Sequence, residues 1–340
     1  MSESRVELHD LPSEIVPSPV PYAVLLPPGY DAGGPFPLCL SLHGGGGSRD
    51  QLEASKPLYD AAWAKGDLPP VVFAAPSTAP MGFYLDAADG SVRWETFVAE
   101  EFLGHLRARF DVGRDRESTL VMGTSMGGYG SLKIAFRRPS TFHAVAAMEP
   151  AVFPAQHVDE LAGRGSWWFG VGPQALVGAG QAAFARENPA NLAAANADAL
   201  RSGDLAIYLE VGDADLLTLH DGTEYLHRTL WDLDIPHEYR LVLGGDHVGP
   251  SLAGRQLDAL RFIGSTLAPQ ELSDSPEFTP AERDWMEWMA NGAEGEPPEI
   301  DMSTEAGIRM LRTQFAEART AAAAEDPTMA RRYGRIPPIR

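Results

Sequence analysis

The sequence predicts an α/β architecture in which a mostly parallel central sheet carries helices on both faces, and three observations predict it. Apolar runs of strand length alternate with amphipathic segments from residue 20 to about residue 268. One such run, ending at Met122, leads straight into Gly123-Thr124-Ser125-Met126-Gly127, a G-x-S-x-G pattern. An earlier one ends on His43-Gly44-Gly45-Gly46-Gly47-Ser48.

The elements follow in order. The proline-rich opening contains YAVLL, read as an edge-type strand, and PPGYDAGGP, read as a turn. Residues 36–42 form an apolar strand before the four glycines. A helix covers LEASKPLYDAAWAKG, and a buried strand follows at 71–77. In RWETFVAEEFLGHLRARF, Phe97, Phe102, Leu103 and Leu106 share one helical face. A short strand at 119–122, the serine turn and a helix that runs to Pro139 come next. The strand HAVAAMEPA leads into a stretch read as a short cap insertion over about 152–187. The helix ENPANLAAANADALRSG, the strand LAIYLEVG, a helix at 221–233, the strand HEYRLVLGG and a helix to about 267 complete the unit. Residues 1–268 are therefore expected to form one catalytic domain. Residues 269–340 are polar and proline-punctuated and are expected to form a partly irregular C-terminal helical extension, in which Thr279-Pro280-Ala281-Glu282 fits a capping box.

Composition excludes several functions. With 44% hydrophobic residues in 340 the chain can bury a sizeable core, and 27 basic against 47 acidic residues give a formal charge of -20 that repels phosphate backbones. No nucleic-acid partner is expected. The single cysteine, Cys39, lies in an apolar strand and reads as a small buried hydrophobe. Neither a signal peptide nor a membrane span is apparent, so a cytoplasmic location without membrane attachment is expected. The glycines fit neither a phosphate loop nor a dinucleotide fingerprint, and the nine histidines lack a zinc-binding pair, so no cofactor and no metal are expected. His220 and His227, seven apart, read as a solvated helix surface. Trp285 and Trp288 read as packing.

The G-x-S-x-G turn has a mechanical meaning: glycines on both sides let a strand bend sharply into a helix and leave the serine exposed at the bend. A serine nucleophile needs a base, an acid that orients the base, and donors for an oxyanion. His247, after a strand and a glycine pair, fits the base. Asp213 and Asp215 both follow the preceding strand and fit the acid, and Glu149 is a third possibility. The chain order Ser, Asp, His is that of the α/β-hydrolase architecture. The backbone N–H of Met126 and those of Gly44 and Gly45 are placed to form the oxyanion hole.

SMGGYGSLKIAFRRPSTFHAVAAMEPAV resembles the serine turn, helix and following strand of the esterase family that includes esterase D (S-formylglutathione hydrolase), feruloyl esterases and the antigen 85 mycolyltransferases. The likeness covers about residues 20–268. It implies an α/β-hydrolase fold and a carboxylic-ester hydrolase that works through an acyl-enzyme on a small-molecule ester. It also places the nucleophile on Ser125, the base on His247 and the acid on Asp215 rather than Asp213. An acyltransferase with the same triad, a serine peptidase and a catalytically silent binding protein of this fold are the alternative functions. The chain departs from the family at Glu149-Pro150, where members often carry a small residue, and the tail after Ala268 has no counterpart. Trp167, Trp168 and Phe169 in the cap are the expected aromatic wall for substrate, and the amphipathic tail suggests a homodimer.

Overall fold

The computed structural model describes residues 3–163, 180–268 and 280–299, with Gly307 and Ala324. The chain divides into two units, 1–268 and 269–340. The first is built on an eight-stranded sheet in the order β1-β2-β4-β3-β5-β6-β7-β8. These strands are Arg5–Leu11, Val20–Leu26, Leu38–Leu42, Val72–Pro76, Thr119–Thr124, Ala144–Met148, Ala206–Gly212 and Glu238–Val242, numbered β1, β2, β3, β4, β5, β6, β7 and β8 along the chain. The pairs β1·β2 and β2·β4 are antiparallel, and every later pair is parallel. The mostly parallel sheet with helices is the α/β-hydrolase arrangement that the sequence predicts.

One correction concerns the sheet edge. YAVLL is an interior strand, because Arg5–Leu11 pairs along its whole length and takes the edge position itself. The reason is visible in burial: Tyr22, Ala23, Val24 and Leu25 are essentially inaccessible to solvent, which an edge strand with one open side does not achieve.

Both faces of the sheet are covered, so the central strands are apolar throughout instead of alternating. Leu38, Leu40, Leu42, Val121 and Val145 point to one core. Cys39, Leu120, Met122, Ala144 and Ala146 point to the other, where they meet helix α1 (Asp50–Lys65) and the last helix of the unit, Leu252–Leu267. Cys39 is fully buried, and burial raises its thiol far above the ordinary range, so it behaves as the hydrophobe it was read as.

On the first face, α2 (Trp94–Thr96) passes through a π-helical turn (Phe97–Phe102) into α3 (Leu103–Arg109). The four residues predicted to share a face, Phe97, Phe102, Leu103 and Leu106, are all buried. Helix α4 spans Met126–Arg137. The long helix expected near 187–203 is broken into α5 (Gln181–Glu187), α6 (Pro189–Ala195) and α7 (Ala197–Ser202). Pro189 starts a new helix because it has no N–H to continue the old one, and its residue Asn188 is extended at ψ 126°. Helix α8 covers His220–Asp232, and α9 is Leu252–Leu267. In the second unit, α10 runs from Pro280 to Ala290, beginning on the proline. Within it the Trp285 and Trp288 rings lie 5.3 Å apart, and the Trp288 indole donates to Glu294 O, which is the packing role expected of them. Among the described residues no helix is long and apolar enough to cross a membrane.

Candidate active site

Ser125 sits where β5 turns into α4, with φ 57° and ψ −118°. A side-chain-bearing residue held there costs on the order of 1–3 kcal/mol, which the surroundings must supply. They do so with three backbone bonds: Ser125 N donates to Met148 O at 2.9 Å, while Ser125 O accepts from Tyr129 N at 2.9 Å and from Ala151 N at 3.2 Å. The flanking glycines are required by close approach. A Cβ on Gly123 would lie 2.4 Å from the Gly127 backbone, and one on Gly127 would lie 2.0 Å from Leu42 O. Any larger residue would push the turn off the strand ends.

His247 follows β8. Its Nδ1 donates to Asp215 Oδ2 at 2.9 Å, which leaves Nε2 unprotonated and able to accept a proton. Asp215, in the loop after β7, is buried. Its other oxygen, Oδ1, accepts from Leu217 N at 2.7 Å and Leu219 N at 3.4 Å. Burial pushes this carboxyl up, but the His247 hydrogen bond and charge and the two amides outweigh it and hold Asp215 below the usual carboxylate range. For His247, burial lowers the imidazole, and the Asp215 bond with the charges of Glu149 and Asp215 reverses this, so its net shift is upward.

Of the three acids open in the sequence, Asp213 is exposed and spends its Oδ1 on Gly244 N. Glu149 Oε2 lies 3.7 Å from His247 Nδ1, beyond hydrogen-bond reach, and Asp215 is the hydrogen-bonded partner. The loop itself is pinned by Asp246, whose Oδ1 accepts from His247 N at 2.6 Å and Leu216 N at 3.1 Å.

Ser125, Met126, Gly44, Gly45 and His247 line one cavity of about 590 Å³, walled by apolar residues such as Met81, Phe83 and Leu219. A Cβ on Gly44 would sit 3.6 Å from Ser125 Cβ, so the glycine loop runs directly beside the serine. His43 fixes that loop from below. Its Nδ1 donates to Gly44 O at 2.8 Å, and its Nε2 accepts from Thr78 N at 3.0 Å. Burial lowers its pKa and keeps it neutral. Gly46 N and Gly47 N are spent on Pro80 O and Gly44 O. Among the described residues the N–H groups of Gly44, Gly45 and Met126 have no such acceptor. Trp167, Trp168 and Phe169 lie outside the described residues.

Sequence reading missed a buried cluster behind His247. Arg255 of α9 donates from Nε to Glu210 Oε1 and from NH2 to Glu149 Oε2, each at 2.6 Å, and from NH1 to Asp246 O at 2.6 Å. The three side chains are buried. Burial pushes Glu149 up to about 7, against the pull of His247 and Arg255. The signal in the sequence was an acid just after one apolar strand, another inside the next, and an arginine inside the last helix of the unit. Glu149, Asp215 and His247 also bring three donor atoms within 4.8 Å of one another. Those atoms are already engaged, Nδ1 with Asp215 and Glu149 Oε2 with Arg255, so the three side chains are committed to hydrogen bonds and ion pairs within the protein.

The histidine pair read as a solvated face is only partly so. His227 Nδ1 donates to His237 Nε2 at 2.8 Å, and its ring stacks on Tyr239 at 4.3 Å.

Known proteins resemble this chain in sequence and in fold. An acetyl esterase of Caldicellulosiruptor saccharolyticus is 33% identical over 70 residues, 21% of this chain and 26% of that protein. The S-formylglutathione hydrolase of Mus musculus is 30% identical over 156 residues, 39% of this chain and 52% of that protein. The chain thus spans between about a quarter and about half of the curated relatives it matches. Among solved structures, a ferulic acid esterase superposes with TM-score 0.65 at 20% identity, over 79% of this chain and 100% of that one. An S-formylglutathione hydrolase from Agrobacterium tumefaciens gives 0.60 at 22% identity, over 78% and 95%. These likenesses show the α/β-hydrolase fold. Residues 13–255 match the sequence model of the family described as "Putative esterase", and the chain belongs to that esterase family.

Proposed function

We propose that the protein is a serine carboxylic-ester hydrolase acting on a small-molecule ester with an apolar portion. The observation that carries this reading is that Ser125, strained at a positive φ, lines the same cavity as a His247 whose Nδ1 is bonded to a buried Asp215. Membership of an esterase family and the names of the relatives support it.

In this mechanism Ser125 Oγ attacks the ester carbonyl while His247 Nε2 takes its proton. The developing imidazolium is stabilised by Asp215. The carbonyl oxygen, now an anion, is held by the N–H of Met126 and by Gly44, with Gly45 next in line; these donors need no rearrangement because they have no competing acceptor. Collapse expels the alcohol with the proton from His247. Water, deprotonated by the same nitrogen, then releases the acid and regenerates Ser125. The apolar walls of the cavity would receive the acyl or alcohol group. Residues 1–268 make up the catalytic unit in this reading, and 269–340 are appended to it.

Hydrolysis of p-nitrophenyl esters from acetate to laurate by wild type and by Ser125→Ala tests the proposal. Wild type is expected to turn over and to gain one fluorophosphonate adduct by intact mass. Ser125→Ala is expected to lose roughly 10⁴-fold or more in kcat while keeping its fold, and to gain no adduct. Turnover retained in Ser125→Ala would refute the nucleophile.

A further inference from the structure

His247 faces two carboxylates, and a triad accounts for one. Its Nδ1 carries a single proton, which goes to Asp215 at 2.9 Å. Glu149 Oε2 stands 3.7 Å from the same nitrogen, close enough to act by charge without competing for the proton. Three features fit this station better than a plain ion pair. Glu149 adopts φ 38°, an unfavourable backbone for a residue with a side chain, immediately after β6. Its Oε1 is buried with no hydrogen-bond partner, so the side chain is not placed to satisfy its own oxygens. Among the described residues its ion-paired arginine, Arg255, is shared with Glu210 and also grips Asp246 O beside His247, so a single guanidinium sets both the carboxylate and the histidine loop.

We propose that Glu149 is a second carboxylate partner of His247, held at its station by Arg255, and that it stabilises the imidazolium formed when His247 takes the proton of Ser125. The inference rests on the reading of His247 as the base. Glu149 touches neither substrate nor nucleophile in it and acts as a positioning and charge-setting residue through His247.

The charges facing the imidazole come from every element around it. Asp215 lies after β7, Glu149 after β6 and Arg255 on α9; Glu210 of β7 sits behind Arg255, and Asp246 is on the histidine's own loop. With the three buried acids ionised, Asp215, Glu149 and Glu210 exceed Arg255 by two charges, and the partly buried Asp246 adds to the same side. That excess favours a proton on His247. Burial raises Glu149, and an imidazolium alongside lowers it again, so each charge makes the other easier to form.

The test follows the His247 imidazole by NMR titration in wild type, Glu149→Gln and Glu149→Asp, alongside the pH profile of kcat/KM. Glu149→Gln is expected to lower the His247 pKa by about half a pH unit to one unit, and to move the acid limb of kcat/KM down with it. Its kcat is expected to fall roughly three- to tenfold at unchanged KM. Glu149→Asp keeps the charge and is expected to restore most of the shift, and it also serves if the glutamine variant fails to fold. In Asp215→Ala the remaining carboxylate should sustain a residual turnover, which Asp215→Ala/Glu149→Gln should reduce by about a further tenfold. A His247 titration that is unchanged in both Glu149 variants would overturn the proposal, as would equal turnover in Asp215→Ala and the double variant. The titration does not depend on turnover. Loss of the Ser125 reading would appear separately, as an unlabelled Ser125 in wild type.

Discussion

Two buried ionic clusters lie in the first unit, and they are built with opposite balances. On α4, the fully buried Lys133 sits 2.8 Å from Glu95 Oε2 and 3.1 Å from Glu187 Oε2. Arg137 reaches both acids, and Arg138 adds a further contact to Glu95. Cations match or exceed the acids there. Burial pushes Glu95 up, and Lys133 with Arg137 overcomes it, so the carboxyl lies below its ordinary range. Behind His247 a single Arg255 serves Glu149 and Glu210, and Glu149 is pushed up to about 7. The lesson is that burial alone does not decide what an ionic cluster does. A cluster with enough cations fixes charge and braces helices; one with too few leaves a carboxyl close to titration beside the imidazole it serves.

The largest effect that would sharpen this contrast is on stability. Lys133→Met should leave Glu95 and Glu187 without their shared cation and lower unfolding free energy by about 3–5 kcal/mol in urea titration, with turnover per folded molecule little changed. A large fall in kcat without loss of stability would break the comparison.

A smaller effect concerns pH. Glu95 has a folded value below the ordinary one, so its contribution is present at neutral pH and is lost as pH falls through that depressed value. Glu149 has the reverse sign. Its folded value of about 7 exceeds the ordinary carboxyl value, so its contribution is full below the ordinary value and is lost as pH rises through 7. Glu149→Gln should therefore flatten the decline in stability between about pH 5 and pH 8, by on the order of 2–3 kcal/mol. An unaltered slope would show that the carboxyl is already ionised across this window.

The smallest effect belongs to an exposed pair. Arg228 and Glu224, one turn apart on α8 at 3.0 Å, should contribute no more than about 0.5 kcal/mol, and Arg228→Gln should be nearly silent in the same titration.

What could be seen in the sequence was whatever is local. The serine turn is legible because the strand, both glycines and the helix start lie within ten residues, and the Gly44 to Gly47 loop likewise follows its own strand. The choice between Asp213 and Asp215 was open because two residues in one turn differ only in direction, and direction is set by the Leu217 and Leu219 amides that bind Asp215. The Arg255 cluster was not legible, since it joins residues 45 and 106 positions apart. Strand β1 was overlooked for another reason. RVELHDL mixes charges with apolar residues, and Leu8 remains half exposed, so its signal is weak without the partner strand.

That strand has a practical consequence. Residues 5–11 cover the open ladder of β2, and the connection between them, 12–19, is largely exposed. A protease cut or a truncation in this connection would uncover a long apolar strand with unpaired amides and carbonyls. Such a border is a template for adding a strand from another molecule, so residues 5–11 guard the sheet against self-association and should be kept intact in any fusion.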